Sequence, residues 1–263
     1  MVPSLDELTA DLGAEHADLD GLVADLDEAG FAIPTPAEGW QVRDQVSHLA
    51  WFDREAVRAA LDPESFVATL SEALSDETNT DRAVIEGRRF SSPDLLVWWR
   101  AARAGLLHAL AALDPSTRVP WYGPPMSAAS FVTARLMETW AHGQDVADAL
   151  EVERVPTDRL RHVAFLGVRA FPNSYRVRDL PVPAAPVRVE LVGPSGAAWS
   201  WGDEGAADVV RGPALDFCLV VTQRRHLDDT ELVASGPVAG EWMHLAQAFA
   251  GPAGPGRAPR GRP

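Results

Sequence analysis

The first 150 residues contain four long segments in which apolar residues recur every three or four positions, the spacing of one face of an α-helix. These segments cover residues 4–30, 41–61, 92–113 and 137–150. The first opens on the capping box Ser4-Leu5-Asp6-Glu7, and the third opens with Ser92 as its predicted N-cap and Pro93 in its first turn. Each helix must bury its apolar stripe, so we expect the four to pack together as a bundle.

The pattern changes after about Val155, where strand-like alternation joins the helical spacing. Residues 187–192 alternate as a half-buried strand does, a Gly-Pro-Ser-Gly turn follows, and residues 197–201 are the predicted hairpin partner. Further helices are predicted at residues 156–170, 213–225 and 238–249. The predicted fold class is therefore α+β, with a four-helix bundle over residues 1–155, a smaller α/β domain over 156–250 and a disordered tail over 251–263.

Two stretches connect the predicted helices of the bundle. Residues 61–92 are long enough to cross over the bundle or to cover an opening in it. Residues 120–125, with the sequence Pro-Trp-Tyr-Gly-Pro-Pro, are predicted to be a loop that enters the fourth helix, because they combine three prolines and a glycine.

The charge of the chain argues against two classes of partner. The formal net charge is −15, and the first forty-two residues hold ten acidic residues and no arginine. A phosphate backbone or an anionic bilayer would be repelled there, so we expect neither nucleic acid nor membrane as a partner. No segment resembles a signal peptide or a membrane span, which predicts a cytoplasmic protein. All 23 basic residues are arginine, which is typical of GC-rich coding DNA and hence of a high-GC bacterium.

The single cysteine, Cys218, limits the chemistry further. One cysteine cannot form an intrachain disulfide framework or a cysteine-based zinc site. It stands in the apolar run Phe-Cys-Leu-Val-Val, where a small buried side chain is expected rather than a reactive thiol.

Ionisable residues in the apolar second and fourth helices are the candidate functional residues. Glu138 and His142 are four residues apart, so they share one face of a helix. His48 stands within the apolar stripe of the second helix and can converge with them if the two helices are neighbours. Two imidazoles and one carboxylate would hold a metal with positions left open for water or substrate. Spacing alone leaves open a second interpretation, in which Glu138 and His142 form a surface pair and His48 is a packed histidine.

Two motifs carry a resemblance to a known family. Trp-x-Val-x-Asp-x-x-x-His-Leu is matched from Trp40 to Leu49, and Glu-x-x-x-His followed by Asp is matched from Glu138 to Asp145. These segments resemble the metal-binding bundle of the DinB-like superfamily, and in particular the mycothiol-dependent maleylpyruvate isomerases. The segment of residues 120–127 is similar to that of uncharacterised actinobacterial members. The resemblance implies that His48, Glu138 and His142 hold a divalent metal, usually zinc.

The resemblance extends to the second half of the chain. Residues 216–224 stand where the family has a segment like Asp-Leu-Leu-Leu-x-Leu-x-Gly-Arg, and the family's arginine implies that Arg224 holds an anionic group of the substrate. Two residues depart from the family pattern. Gln41 replaces a Ser or Thr helix cap, and Gln223 replaces the glycine before the arginine.

The function implied by the resemblance is a metal-dependent isomerase or S-transferase that uses mycothiol as co-substrate on a small electrophile. A zinc-like ion lowers the pKa of a bound thiol or water. A hydrolase that uses the bound water and a non-catalytic binding protein remain open alternatives, as do monomer and homodimer. Asp44 and Asp145 lie one turn from the ligands and are predicted to orient the imidazoles. For Asp44, a favourable charge at the helix N-terminus is the competing role.

Overall fold

Side chains of Ser4, Asp27, Ser91 and Ser127 cap the N-termini of four helices in the N-terminal half. In a computed structural model of the protein, which describes residues 3–75 and 79–260, the chain divides into two compact units, Met1–Arg154 and Val155–Pro263. The elements of the first unit are α1 (Leu5–Val23), α2 (Glu28–Phe31), α3 (Val42–Leu61), α4 (Pro63–Ser75), α5 (Asn79–Gly87), α6 (Ser92–Ala111), β1 (Arg118–Trp121), β2 (Gly123–Ser127) and α7 (Ala128–Ala149). The Ser4 capping box is present as predicted, whereas Ser91 rather than Ser92 caps α6.

The predicted four-helix bundle consists of α1, α3, α6 and α7. Helix α3 packs against α6 and α7, and α1 packs against α7 and α6. Buried residues from these helices form a hydrophobic core, among them Leu19, Val46 and Trp99. The bundle therefore holds α3 and α7 side by side, which is the condition for their polar side chains to meet.

Elements that the sequence does not predict occupy three stretches of this unit. The first helix ends at Val23 rather than near Gly30. A separate helix, α2, follows, and the side chain of Asp27 caps it by accepting a hydrogen bond from the backbone N–H of Gly30. The connection over residues 61–92 contains α4 and α5, and both helices pack on α3. The predicted loop at residues 120–125 is part of the β1–β2 hairpin, which packs against α3, α4 and α7.

The second unit is built on a four-stranded mixed sheet. Its elements are α8 (Leu160–Arg169), α9 (Phe171–Arg176), β3 (Val187–Val192), β4 (Ala198–Trp201), β5 (Asp208–Pro213), α10 (Ala214–Val221), a 3₁₀ turn (Leu227–Asp229), β6 (Val233–Ser235) and α11 (Pro237–Leu245). The strand order is β4-β3-β5-β6, with β3 parallel to β5 and the two outer strands antiparallel to their neighbours. Helices α10 and α11 pack on β5. The predicted α+β class is confirmed, and the β3–β4 hairpin lies where the alternation places it.

The C-terminal segment has no helix or strand over residues 251–260, yet it hydrogen bonds to the body of the unit. The carbonyl of Gly254 accepts a hydrogen bond from Arg178 at 3.1 Å, and the backbone N–H of Arg260 donates to Asp229 at 2.8 Å. The predicted disordered tail includes residues 261–263, which lie outside the described residues. Within residues 3–75 and 79–260, none of the helices combines the length and the apolar character that a membrane span requires.

Candidate metal centre

Helices α3 and α7 bring three ionisable side chains to one point. His48 comes from α3, and Glu138 and His142 lie one turn apart on α7. Nε2 of His142 lies 3.3 Å from Oε2 of Glu138, and Nε2 of His48 lies 3.9 Å from the same oxygen. One donor atom from each residue lies within 4.8 Å of the other two. The three predicted ligands therefore converge in the structure.

The separations of these donor atoms suit a divalent cation. Zinc binds histidine nitrogen and carboxylate oxygen at about 2.0–2.2 Å, so two tetrahedral ligands lie about 3.4 Å apart. The observed 3.3 and 3.9 Å are close to that value. The side chains of His142, His48 and Glu138 are 11%, 12% and 24% exposed, so a small molecule can approach them. Three protein ligands with an accessible fourth position are typical of a catalytic rather than a structural zinc site.

The electrostatics of the cluster favour the protonation states that a metal requires. Burial and, to a smaller extent, the neighbouring His142 lower the pKa of His48 to about 4 against the opposing effect of Glu138, so His48 is neutral at neutral pH. Burial alone would raise the pKa of Glu138, but its contacts with His142 and His48 outweigh burial and hold that pKa well below its usual range. The cluster thus presents a carboxylate and a neutral imidazole, which bind cations without first losing a proton.

A buried glutamine, Gln45, contacts the ring nitrogen of His142 that faces away from Glu138. Nδ1 of His142 lies 2.5 Å from Oε1 of Gln45, and Nε2 of Gln45 donates to Oγ1 of Thr35 at 2.9 Å. Gln45 is absent from the residues that the sequence marks as candidates. It precedes His48 by three residues and so shares its helical face, which is the signal that could have identified it.

The two predicted orienting carboxylates have different environments. Both carboxylate oxygens of Asp44 are engaged at the N-terminus of α3, where they accept hydrogen bonds from Arg88 at 2.8 and 2.9 Å and from the backbone N–H of Gln41 at 2.8 Å. Asp44 therefore caps α3 and does not orient His48, which corrects the first of its two predicted roles. Asp145 is buried one turn beyond His142, and its orienting role stays a prediction.

Aromatic rings surround the two histidines. The indole of Trp40 stacks on His142, with ring centroids 6.0 Å apart and planes at 17°. The ring centroids of Phe52 and His48 are 4.6 Å apart. The ring of Trp121, in the hairpin, has its centroid 6.3 Å from that of Phe52. These rings exclude water from the flanks of the cluster, which strengthens electrostatic interactions within it.

Arg224 lies in the second unit, directly after α10. Gln223 has φ +59°, and the end of α10 is closed by bonds from Gln223 N–H to the Val220 carbonyl (2.9 Å) and from Arg224 N–H to the Leu219 carbonyl (2.7 Å). This closure requires a left-handed residue at the position where the family pattern has glycine. Gln223 adopts that conformation, so the turn into Arg224 is retained despite the departure. The guanidinium of Arg224 donates to the carbonyl of Thr222 at 2.6 Å, and its role toward a substrate stays a prediction.

Cys218 is fully buried in α10, as expected for a small core residue. Burial raises the pKa of its thiol well above the usual value, and Sγ lies 3.4 Å from the carbonyl of Leu160. The chain therefore has no cysteine thiolate of its own to act as a nucleophile at neutral pH.

Comparison with known families assigns the N-terminal half. Residues 12–147, which include α3, α7 and the three converging side chains, match the family described as Mycothiol maleylpyruvate isomerase N-terminal domain. The chain belongs to this family. Residues 183–235, from the strands of the second unit, match another family, described as Wyosine base formation.

Other comparisons cover nearly the whole chain. Two uncharacterised proteins of Mycobacterium tuberculosis, from strains CDC 1551 / Oshkosh and ATCC 25618 / H37Rv, are each 49% identical over 249 residues, covering 94% of this chain and 97% of theirs. The crystal structure of the mycothiol-dependent maleylpyruvate isomerase matches with a TM-score of 0.61 and 15% identity, covering 89% of this chain and 97% of that one. A histidine-to-alanine mutant of that enzyme matches equally well. These structures confirm the predicted fold.

Proposed function

We propose that the protein is a metal-dependent enzyme that uses mycothiol to isomerise, or to form an S-conjugate with, a small electrophilic substrate. The convergence of His48, Glu138 and His142, with donor atoms within 4.8 Å of one another, carries the proposal. Family membership supports the choice of mycothiol, because a relative of the same fold is described as mycothiol-dependent.

A divalent cation, which we take to be zinc, would when bound lower the pKa of a coordinating thiol, so that the thiolate exists at neutral pH without a dedicated base. The residues of the chain prepare for this. His48 and His142 supply nitrogen donors, and Glu138 supplies a negative charge that offsets part of the charge of the cation. The rings of Trp40 and Phe52 exclude water from the flanks of the site.

The thiol must come from outside the chain, because Cys218 is buried in the second unit and its pKa is raised. We further propose that Arg224 holds a carboxylate of the substrate, since a guanidinium fork matches a carboxylate in shape and charge. Arg224→Met should then raise KM for a carboxylate-bearing electrophile and leave mycothiol binding unchanged.

Titration calorimetry with mycothiol tests the proposal on three samples: metal-loaded protein, chelator-treated protein and His142→Ala. We expect about one equivalent of divalent metal in the wild type by elemental analysis, and mycothiol binding only in the metal-loaded form. Equal metal content in His142→Ala and wild type would defeat the assignment of the centre. Equal mycothiol binding with and without metal would defeat the thiolate mechanism.

The reaction class is decided by turnover of a panel of electrophiles with and without mycothiol. Thiol-dependent loss of the electrophile supports the proposal, and the product distinguishes an isomer from an S-conjugate. Turnover without any thiol would instead indicate a hydrolase that activates water. Binding of mycothiol with no turnover across the panel would indicate a non-catalytic binding protein.

A further inference from the structure

Gln45 is a fully buried polar side chain whose two functional atoms are both used. It lies on α3, one turn before His48, and its amide extends to α7 on one side and to the segment before α3 on the other. The contact with His142 joins residues 97 positions apart in the chain. An amide with both ends bonded in the core has a single orientation, and the hydrogen bonds around it define which one.

The hydroxyl of Thr35 determines which end of the amide faces His142. Oγ1 of Thr35 donates to the carbonyl of Trp40 at 3.0 Å, which uses the only proton of the hydroxyl. The contact between Thr35 and Gln45 at 2.9 Å must then take its proton from the amide nitrogen of Gln45. The amide oxygen consequently faces His142, as its 2.5 Å contact with Nδ1 shows.

An amide oxygen can only accept, so Nδ1 of His142 must carry the proton. Nε2 of the neutral ring then has no proton and turns its lone pair toward Oε2 of Glu138, 3.3 Å away. A lone pair facing a carboxylate oxygen is unfavourable unless a cation lies between them. By contrast, Nδ1 of His48 has no hydrogen-bond partner among the residues that the structure describes. Of the two imidazoles, His142 is the one that a protein side chain orients.

From these contacts we infer that Gln45 is the positioning residue of the metal centre, which holds His142 in the tautomer that binds through Nε2. Gln45 also hydrogen bonds to Thr35, which in turn hydrogen bonds to the backbone carbonyl of Trp40. The ring of Trp40 stacks on His142. The inference rests on the proposed metal-dependent function and adds a residue to which no role is assigned there. Side chains that bond the second nitrogen of a metal-binding histidine typically change metal affinity 10–100-fold when removed.

The choice of an amide rather than a carboxylate has a chemical consequence. A neutral acceptor orients His142 without adding negative charge, so a bound cation would keep more of its ability to lower the pKa of a thiol. Gln45→Glu would still accept from Nδ1 and would make the imidazole a stronger donor. We therefore expect Gln45→Glu to bind metal at least as tightly as the wild type, whereas Gln45→Met, similar in length but without an acceptor, binds 10–100-fold more weakly.

Competition with a chromophoric chelator, using Zn²⁺ and Co²⁺, measures these affinities. The matched control is Gln144→Met, since Gln144 lies on α7 two residues from His142 and its amide donates to Asp148 at 2.9 Å. Loss of affinity in Gln45→Met, with retention in Gln45→Glu and Gln144→Met, supports the inference. Wild-type affinity in Gln45→Met, or equal losses in Gln45→Met and Gln45→Glu, overturns it while leaving the metal centre in place.

A second measurement does not depend on the metal. Nitrogen-15 NMR of the histidine rings in metal-free protein, with the His142 signals assigned by their absence in His142→Gln, reports which ring nitrogen carries the proton. We expect the Nδ1–H form in the wild type. In Thr35→Val the amide of Gln45 is free to turn, so we expect a larger share of the Nε2–H form. The Nε2–H form in the wild type overturns the inference. Absence of metal binding by wild-type protein would instead overturn the proposed function, whatever the tautomer.

Discussion

The guanidinium of Arg135 lies 2.8 Å from the carboxylate of Asp53, and the two side chains are 3% and 0% exposed between α7 and α3. Arg135 stands one turn before Glu138 on α7, and Asp53 stands five residues after His48 on α3. A buried ion pair thus joins the same two helices that carry the proposed metal ligands. The pair fixes the relative position of α3 and α7 beside the centre.

Removal of one partner of this pair should destabilise the protein strongly. Asp53→Ala leaves the guanidinium of Arg135 buried without its counter-charge, and we expect a loss of about 3–5 kcal/mol in the free energy of unfolding, measured by urea denaturation. Glu86→Ala is the control, because Glu86 pairs with Arg54 at 3.5 Å where both side chains are substantially exposed. The loss of unfolding free energy in Glu86→Ala should stay within about 1 kcal/mol. Similar losses in the two variants would contradict the structural role of the buried pair.

His16 should make the stability of the protein depend on pH. Burial and, to a smaller extent, two arginines lower its pKa from 6.5 to about 4 against the opposing effect of Asp53. Above pH 6.5 the folded and unfolded forms are both neutral, and between 6.5 and 4 only the unfolded form takes up the proton, so stability is lost as the pH falls through that range. The contribution of His16 is about 3 kcal/mol across the range.

The measurement compares unfolding free energies of wild type and His16→Gln at intervals between pH 6.5 and 4. The variant should show a shallower decline, and the contribution of His48 cancels because both proteins retain it. His108→Gln, at an exposed site, should decline in parallel with the wild type. A slope for His16→Gln equal to that of the wild type would show that His16 does not titrate between the two states.

Asp44→Ala should separate helix capping from metal binding. The variant loses the hydrogen bond to the backbone N–H of Gln41 and the partly exposed ion pair with Arg88, which predicts a loss of about 1–2 kcal/mol in unfolding free energy. Metal content measured by elemental analysis should equal that of the wild type, because neither oxygen of Asp44 contacts a ligand. Loss of metal from folded Asp44→Ala would indicate that Asp44 orients His48 after all.

Metal removal should lower the melting temperature, and this effect should depend on His48, Glu138 and His142. A ligand that binds only the folded state stabilises it by about 2.7 kcal/mol at a concentration of 100 times Kd, so the melting temperature should rise as Zn²⁺ is added to chelator-treated protein. Glu138→Ala should abolish that rise, and Glu153→Ala, at an exposed position, should preserve it. A rise of the same size in Glu138→Ala would place the bound metal elsewhere.

Gly87→Ala should loosen the contact between α5 and α3. A Cβ at Gly87 would overlap Oγ and Cβ of Ser47, the residue before His48, so one of the two helices must move. We expect a loss of about 1–3 kcal/mol in unfolding free energy. Gly21→Ala is the control, since among the described residues no atom outside its chain neighbours and its own helix backbone lies within 4 Å of the added Cβ. A neutral result at Gly87 would show that α5 moves away from α3 at little cost.

Local sequence was sufficient for the features that depend on near neighbours along the chain. The Ser4 capping box, the helical spacing of α3 and α7 and the alternation of β3 all arise from residues within a few positions of one another. Helical periodicity also placed Glu138 and His142 on one face, because side chains four residues apart are neighbours on any α-helix.

The hairpin of residues 118–127 shows where local patterns mislead. Prolines lack the N–H that a strand ladder uses, so the segment was predicted to be a loop. The ladder instead pairs Val119 with Met126 and Trp121 with Gly123, and a bulge in register accommodates Pro120 between them. Packing against α3, α4 and α7 outweighs the missing donors.

The sequence by itself determined the four bundle helices and the types of residue at the centre, because periodicity and side-chain chemistry are properties of short segments. Tertiary structure alone decided that Gln45 faces His142, that Asp44 pairs with Arg88 and that Asp53 pairs with Arg135. These partners are 97, 44 and 82 positions apart. The partner of a buried polar group is chosen by which side chains the packed helices bring within about 3 Å, a distance that no pattern along one segment encodes.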